Sequence, residues 1–209
     1  MTRLLAFSDL HAGRRAAEAL RDAATLPSGT AAAVDLVLGA GDFCNMRQGL
    51  DAALALLLPL PCPVVLVPGN AESAEELETA AAAYDEVTIL HGTGGTFAGL
   101  RIFGLGYGVP ITPFGAWSCD LSEEAAARML DRCTAADILI THSPPKGIAD
   151  RTSAGLSVGS TAILAAAERL QPRYLLCGHI HDSWGQRGRI GACEVINLGP
   201  APTLLETAS

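Results

Sequence analysis

One pattern constrains this chain more than any other: short β-branched apolar runs that each give way to small or polar residues and then to a stretch rich in Ala, Leu, Glu and Arg. Residues 4–8 read as a strand, and 14–26 as a helix closed by Pro27, Ser28 and Gly29. Strand 34–38 precedes helix 47–58, and strand 64–67 precedes helix 73–84, where Ser73 and Glu76 have the spacing of a capping box. Further on, helix 123–133 leads to strand 137–141, helix 160–170 leads to strand 173–177, and 185–198 has room for two strands. Regular alternation of this kind predicts βαβ units and a mainly parallel sheet. The middle departs from it. Residues 87–90, 96–97 and 101–105 are short strands with no helix between them, as in a meander that starts a second sheet. Residues 107–121 and 143–158 have no clear period, and long ordered loops of this type often form binding lids.

The 209 residues suit a single domain, 1–209, with a sizeable core. Apolar residues make up 49%, and no run approaches the roughly 20 needed to cross a bilayer, so no membrane partner is expected. The N-terminus lacks the look of a cleaved leader, which predicts a cytoplasmic protein. Arginine far outnumbers lysine (Lys146 is the single lysine) and alanine is abundant, as in a GC-rich bacterial source. A net charge of −8 without a basic stripe disfavours nucleic acid. The six cysteines form no C-x-x-C pair and read as small core residues or free thiols.

Chemistry concentrates at strand ends. Asp9 and His11 follow the first strand, Asp42 the second, Asn70 the third, His142 the strand before the second long loop, and His179 and His181 the next. In open α/β sheets ligands gather at the carboxyl ends of strands. Asp, Asn and His together offer the oxygen and imidazole donors that hard-to-borderline divalent metals prefer. Any one of these blocks alone carries little weight; five in order carry much. The pairs Asp9/His11 and His179/His181, two residues apart, would point to one side of extended backbone. Gly41 and Gly69 would let the chain turn sharply beside Asp42 and Asn70. His91 reads as a turn or surface histidine, and Phe114, Trp117 and Trp184 as core or loop anchors ahead of substrate platforms.

These blocks resemble the calcineurin-like metallophosphoesterase superfamily, whose pattern is D-x-H, G-D, G-N-H-[DE], a single H and G-H-x-H. The resemblance implies a four-layer α/β/β/α sandwich: two mixed β-sheets packed face to face with helices outside. It also implies two metal ions, with Mn, Fe or Zn ahead of Mg. Asp9, His11 and His181 would hold the first, Asn70, His142 and His179 the second, and Asp42 would bridge them. Asp42, Asn70 and His142 would be the catalytic set in hydrolysis of a small phosphodiester or activated phosphomonoester by a metal-bound hydroxide. A non-catalytic binding module on the same fold is the alternative, with nuclease or protein phosphatase activity behind it. The departure is Ala71, where the family has histidine. General acid help is worth about 10²–10⁴-fold, so its loss favours acidic leaving groups, a different donor (His91, Lys146 or Tyr107) or weak catalysis. Glu72, without that neighbour, could simply belong to the following helix N-terminus.

Overall fold

A computed structural model describes residues 1–25 and 33–207. The expected closing turn at Pro27, Ser28 and Gly29 lies outside the described residues. The strands are β1 (Thr2–Phe7), β2 (Leu36–Gly39), β3 (Val64–Leu66), β4 (Val87–Ile89), β5 (Thr93–Phe97), β6 (Leu100–Leu105), β7 (Ile138–Thr141), β8 (Tyr174–Cys177), β9 (Arg187–Ile190), β10 (Cys193–Asn197) and β11 (Thr203–Thr207). The helices are α1 (Arg14–Ala24), α2 (Leu50–Leu57), α3 (Ala74–Ala81), α4 (Glu123–Leu130) and α5 (Thr161–Leu170).

The strands form two mixed sheets, in the orders β11-β1-β2-β3-β4 and β5-β6-β7-β8-β10-β9. β1 to β4 run parallel and β11 closes one edge antiparallel. In the second sheet β6, β7, β8 and β10 run parallel, between antiparallel β5 and β9. Strand side chains alternate between faces, and here both faces are apolar. Leu4, Ala6, Leu36, Leu38 and Val65 point into the space between the sheets, where Ile102, Ile138, Ile140 and Leu176 meet them. Their neighbours Leu5, Phe7, Val37 and Leu66 point outward, against Leu20 of α1, Leu54 and Leu57 of α2 and Leu77 of α3. Phe103, Leu139, Leu175 and Val195 do the same for the second sheet, against Ala126 and Leu130 of α4 and Ile163 of α5. The α/β/β/α sandwich follows from apolar strands that need cover on both sides.

Helix boundaries are set by caps. Ser73, Ser122 and Ser160 each accept a backbone N–H of the first turn, and Ser73 with Glu76 completes the expected capping box. Two expectations change. The meander is split: β4 pairs parallel with β3 and ends the first sheet, so only β5 and β6 begin the second. And β11 was not anticipated from the sequence, although it supplies the edge partner of β1. Five cysteines are buried and Cys119 half-buried, all as free thiols. No helix among the described residues is long and apolar enough to cross a membrane.

Candidate metal centre

β1, β2 and β3 of one sheet and β7 and β8 of the other end at the same rim of the sandwich, and their next residues converge there. Asp9, His11 and His181 form one group whose donor atoms lie within 4.8 Å of one another; Asp42, His142 and His179 form a second. Asp42 stands between them. Its Oδ2 is 3.7 Å from His11 Nε2 and its Oδ1 3.4 Å from His142 Nε2. Asn70 joins the second group through Oδ1, 3.1 Å from His142 Nε2. All seven residues anticipated from the sequence therefore meet.

The backbone reaches this geometry through tight turns, not the extended conformation expected for Asp9/His11 and His179/His181. Asp9, His11, Asp42 and His179 all have positive φ, between 46° and 67°. Each such residue costs about 1–3 kcal/mol, a strain found mainly where function demands it. His181 opens a short 3-10 turn. Gly41 and Gly69 act as the sequence implies. A Cβ on Gly41 would sit 2.6 Å from the Gly69 backbone, and one on Gly69 would strike the Asp42 carboxylate. Backbone bonds cross-link the turns: Asp9 N–H donates to Gly41 O, His11 N–H to Asp42 O, and Gly178 N–H to His142 O.

The donors are oriented from behind. His142 Nδ1 lies 2.8 Å from Ala40 O and His11 Nδ1 3.2 Å from Cys44 O. A carbonyl only accepts, so each Nδ1 carries a proton, and Nε2 is the atom each ring turns toward the site. His11 Nε2 and His181 Nε2 face each other at 3.1 Å. Lone pairs and carboxylates crowded this closely are favourable around a cation, and an imidazole and carboxylate donor set suits a borderline divalent ion. Asp9 is buried, which raises its pKa, yet the bond with His181, the His142 charge and the Ser8 hydroxyl outweigh burial and bring it to about 2. Burial and the neighbouring His142 push His179 down to about 3, leaving it neutral and able to ligate. His142 is raised despite burial, chiefly by Asp42 and then Asp9.

Glu72 corrects an expectation. It does not serve the α3 N-terminus but is 0% exposed beneath the site. Oε1 accepts the N–H groups of Asp42 and Gly69 at 2.8 and 2.7 Å, and Oε2 those of Phe43 and Cys44 at 3.1 and 3.3 Å. One carboxylate thus locks the Gly41-Asp42 and Gly69-Asn70 turns together. Burial and then Asp42 push its pKa up to about 7, against the pull of those N–H groups.

Other contributors lie outside the seven donors, and of these only Asn197 had a sequence signal, in the resemblance of residues 195–200 to the family's closing strand and asparagine turn. Trp184 Nε1 donates to Asp9 Oδ2 at 3.1 Å while its ring lies 4.3 Å from that of His181, so it positions two donors, beyond the anchor role expected of it. Asn197 Nδ2 donates to Ala149 O, Gly178 O and Ile180 O, fastening the turn that carries His179. Ser118, from the loop 107–121, accepts from Asn70 Nδ2 at 3.1 Å.

A cleft of about 320 Å³ opens above the donors, with Phe114, Trp117, Thr152 and Asp182 among its walls. Phe114 and Trp117 stack 5.7 Å apart and line this cleft; they are not buried anchors. Ala71 is only 2% exposed, and its N–H is spent on Asp42 Oδ1. None of the three alternative donors lines the cleft. Tyr107 accepts at its hydroxyl from Ala74 N–H, Lys146 donates to Ser157 O, and His91 accepts Gly106 N–H at Nδ1. His91 sits in the β4–β5 turn, as expected, half-buried with its ring 4.3 Å from that of Tyr107.

Known proteins share this sequence pattern and fold. The profile of the calcineurin-like phosphoesterases matches residues 2–183. A UPF0046 protein of Caenorhabditis elegans is 32% identical over 93 residues, which are 41% of this chain and 23% of that protein, so the match spans about a quarter of the relative's length. The structure of TT1561 of Thermus thermophilus superposes with a TM-score of 0.71 over 95% of this chain and 89% of that one, at 18% identity. The phosphopantetheinyl hydrolase of Mycobacterium tuberculosis gives 0.60 over 95% and 90%, at 16% identity. Two packed mixed sheets, five strand ends bearing donors and a match over residues 2–183 place this chain in the calcineurin-like phosphoesterase family, which is metal-dependent.

Proposed function

We propose that the protein is a dinuclear metal-dependent phosphoesterase acting on small phosphodiesters or activated phosphomonoesters. The observation that carries this reading is the position of Asp42, one carboxylate with an oxygen toward each of the two donor groups. Asp9, His11 and His181 would hold one ion and Asn70, His142 and His179 the other, with Asp42 shared between them; Mn, Fe or Zn would fit the donors better than Mg. Bound there, the ions supply Lewis-acid charge neutralisation and a nucleophile at neutral pH. The chain's own groups do the rest. Asp42, Asn70 and His142 fix where the phosphoryl group sits, and Ser118 keeps the Asn70 amide turned toward it. Phe114 and Trp117 give the cleft an aromatic wall.

Ala71 shapes the substrate range. No proton donor stands where the family places its histidine, so esters whose alcohol leaves readily as an anion are the better substrates. The cleft volume and the net charge of −8 favour a small molecule over nucleic acid. The test is hydrolysis of bis(4-nitrophenyl) phosphate and 4-nitrophenyl phosphate by metal-loaded protein, with Mn²⁺ expected to exceed Mg²⁺. Turnover no faster than buffer would overturn the enzyme. Two bound metals without turnover would instead favour a binding module, the reading that Ala71 keeps in play.

A further inference from the structure

Beside the metal cleft lies a larger chamber, about 690 Å³, which the chemistry above does not use. Phe114, Thr152, His179 and Ile180 line both spaces, so the two adjoin at the His179 side of the metal centre. The chamber's other walls come from the loops 107–121 and 143–158: Val109, Ile111 and Pro113 on one side, Val158 on the other. Ligand cavities of roughly 300–1,000 Å³ with apolar walls and few polar groups are typical of organic small-molecule sites.

The two charged side chains in the lining are already engaged. Glu123 accepts from Ser160 Oγ and from the N–H groups of Thr161 and Ala162, and Lys146 donates to Ser157 O at 2.6 Å. The fully buried Asp150 fastens the second loop from within, accepting from Gly147 N–H, Gly159 N–H and Ser157 Oγ. The walls are thus pre-formed, and the two charges they carry, Glu123 and Lys146, are opposite in sign and each held by hydrogen bonds. Yet Ile111 is 67% and Phe114 50% exposed at the opening, large apolar surface left toward water.

We propose that this chamber receives the organic group of the ester, and that this group is bulky, uncharged and largely apolar. The proposal rests on the phosphoesterase reading for where the phosphoryl group sits. It names Ile111, Phe114 and Val158 as the residues that set specificity. A methyl ester leaves the chamber filled with water, whereas a naphthyl-sized group displaces that water against apolar walls.

Two measurements test it and separate its failure from that of the parent reading. The first is titration of Mn²⁺-loaded protein with methylphosphonate and 1-naphthylmethylphosphonate, each with one organic group. The naphthyl compound should bind at least about tenfold tighter, and Ile111→Glu, at an exposed position that puts no strain on folding, should cut that ratio to about threefold or less. Val158→Trp, which fills the chamber, should do the same. The second is fluorescence of the neutral dye N-phenyl-1-naphthylamine with metal-free protein, expected to bind in one site and to be lost in both variants. Equal phosphonate affinities, or dye binding indifferent to both variants, would overturn the proposal. If neither phosphonate binds but the dye binds in a variant-sensitive way, the phosphate site is wrong while the chamber stands.

Discussion

The two donor groups are built differently although they share Asp42. In the group of Asp9, His11 and His181, the outermost histidine has a half-exposed side chain, and apart from the Cys44 carbonyl behind His11 the support comes largely from other side chains: Ser8 and Trp184 on Asp9, and the Trp184 ring against His181. In the group of Asp42, His142 and His179, the His142 side chain is wholly buried, and support comes from main chain: Ala40 O on His142, Ala71 N–H on Asp42, and the turns held by Glu72. Main chain packed between two sheets cannot adjust without disturbing the core, whereas a tryptophan at the rim can. The inner position is therefore the pre-organised one, and a chelator should strip the outer ion first.

Breaking the shared element has the largest expected effect. Asp42→Asn removes the one charge that faces both groups. Turnover should fall by more than the roughly 10–100-fold typical of an outer-sphere partner, and metal content by elemental analysis should drop from two toward one. Retention of both ions would mean that the carboxylate does not bridge. Next comes Glu72→Gln, which keeps the shape but sets an amide NH₂ against one of the two pairs of buried N–H groups that the carboxylate accepts. Each unsatisfied donor costs about 1–3 kcal/mol, read as a lower denaturation midpoint. Turnover should follow downward by about tenfold or more as the Asp42 and Asn70 turns loosen. A variant as stable and active as the parent would show that the lock is incidental.

The candidate donors were legible in the sequence because their residue types are rare and their places, just after apolar runs, are set by chain order. Glu72 was not, because its partners Asp42 and Phe43 lie about thirty residues away and sequence gives no direction to a side chain. The same holds for Trp184, whose role depends on Gly199 leaving room against its ring, a close approach fixed by the β10–β11 connection. Strand β4 was found but put in the wrong sheet, since Val87–Ile89 could pair with either neighbour and only the βαβ crossover through α3 settles it. β11 escaped notice because Thr203–Thr207 is short and half polar, and its stability comes from the β1 edge it covers. The loops 107–121 and 143–158 were read as binding lids, but the chamber they line is fixed by contacts between distant residues, such as Glu123 with Ser160, that sequence does not reveal.

The outer group can be probed on its own. Trp184→Phe retains the ring beside His181 but loses the N–H to Asp9 Oδ2. The expected result is a tenfold weaker outer ion, about the lower bound for losing such a partner, with the inner ion unchanged, seen as biphasic metal titration where the parent's two phases lie closer. If both ions weaken together, the two groups are one mechanical unit and the contrast between them fails.

The smallest effect concerns a histidine outside both groups and isolates what carboxylates do for the inner one. His142 is wholly buried and His91 half-buried. His142 is raised because Asp42 and Asp9 stand near it, while His91 has burial alone acting on it and falls to about 4. An unfolded histidine titrates near 6.5, so between pH 6.5 and 4 the unfolded chain binds a proton at His91 that the folded chain refuses. Stability from this position is complete above pH 6.5 and is lost as pH falls through that window. His91→Asn keeps an acceptor for Gly106 N–H but cannot titrate. In metal-free protein the variant's denaturation midpoint should decline less steeply than the parent's from pH 6.5 to 4, with the two curves parallel above pH 7. Curves parallel throughout would mean that the ring is hydrated in solution and that burial does not govern it.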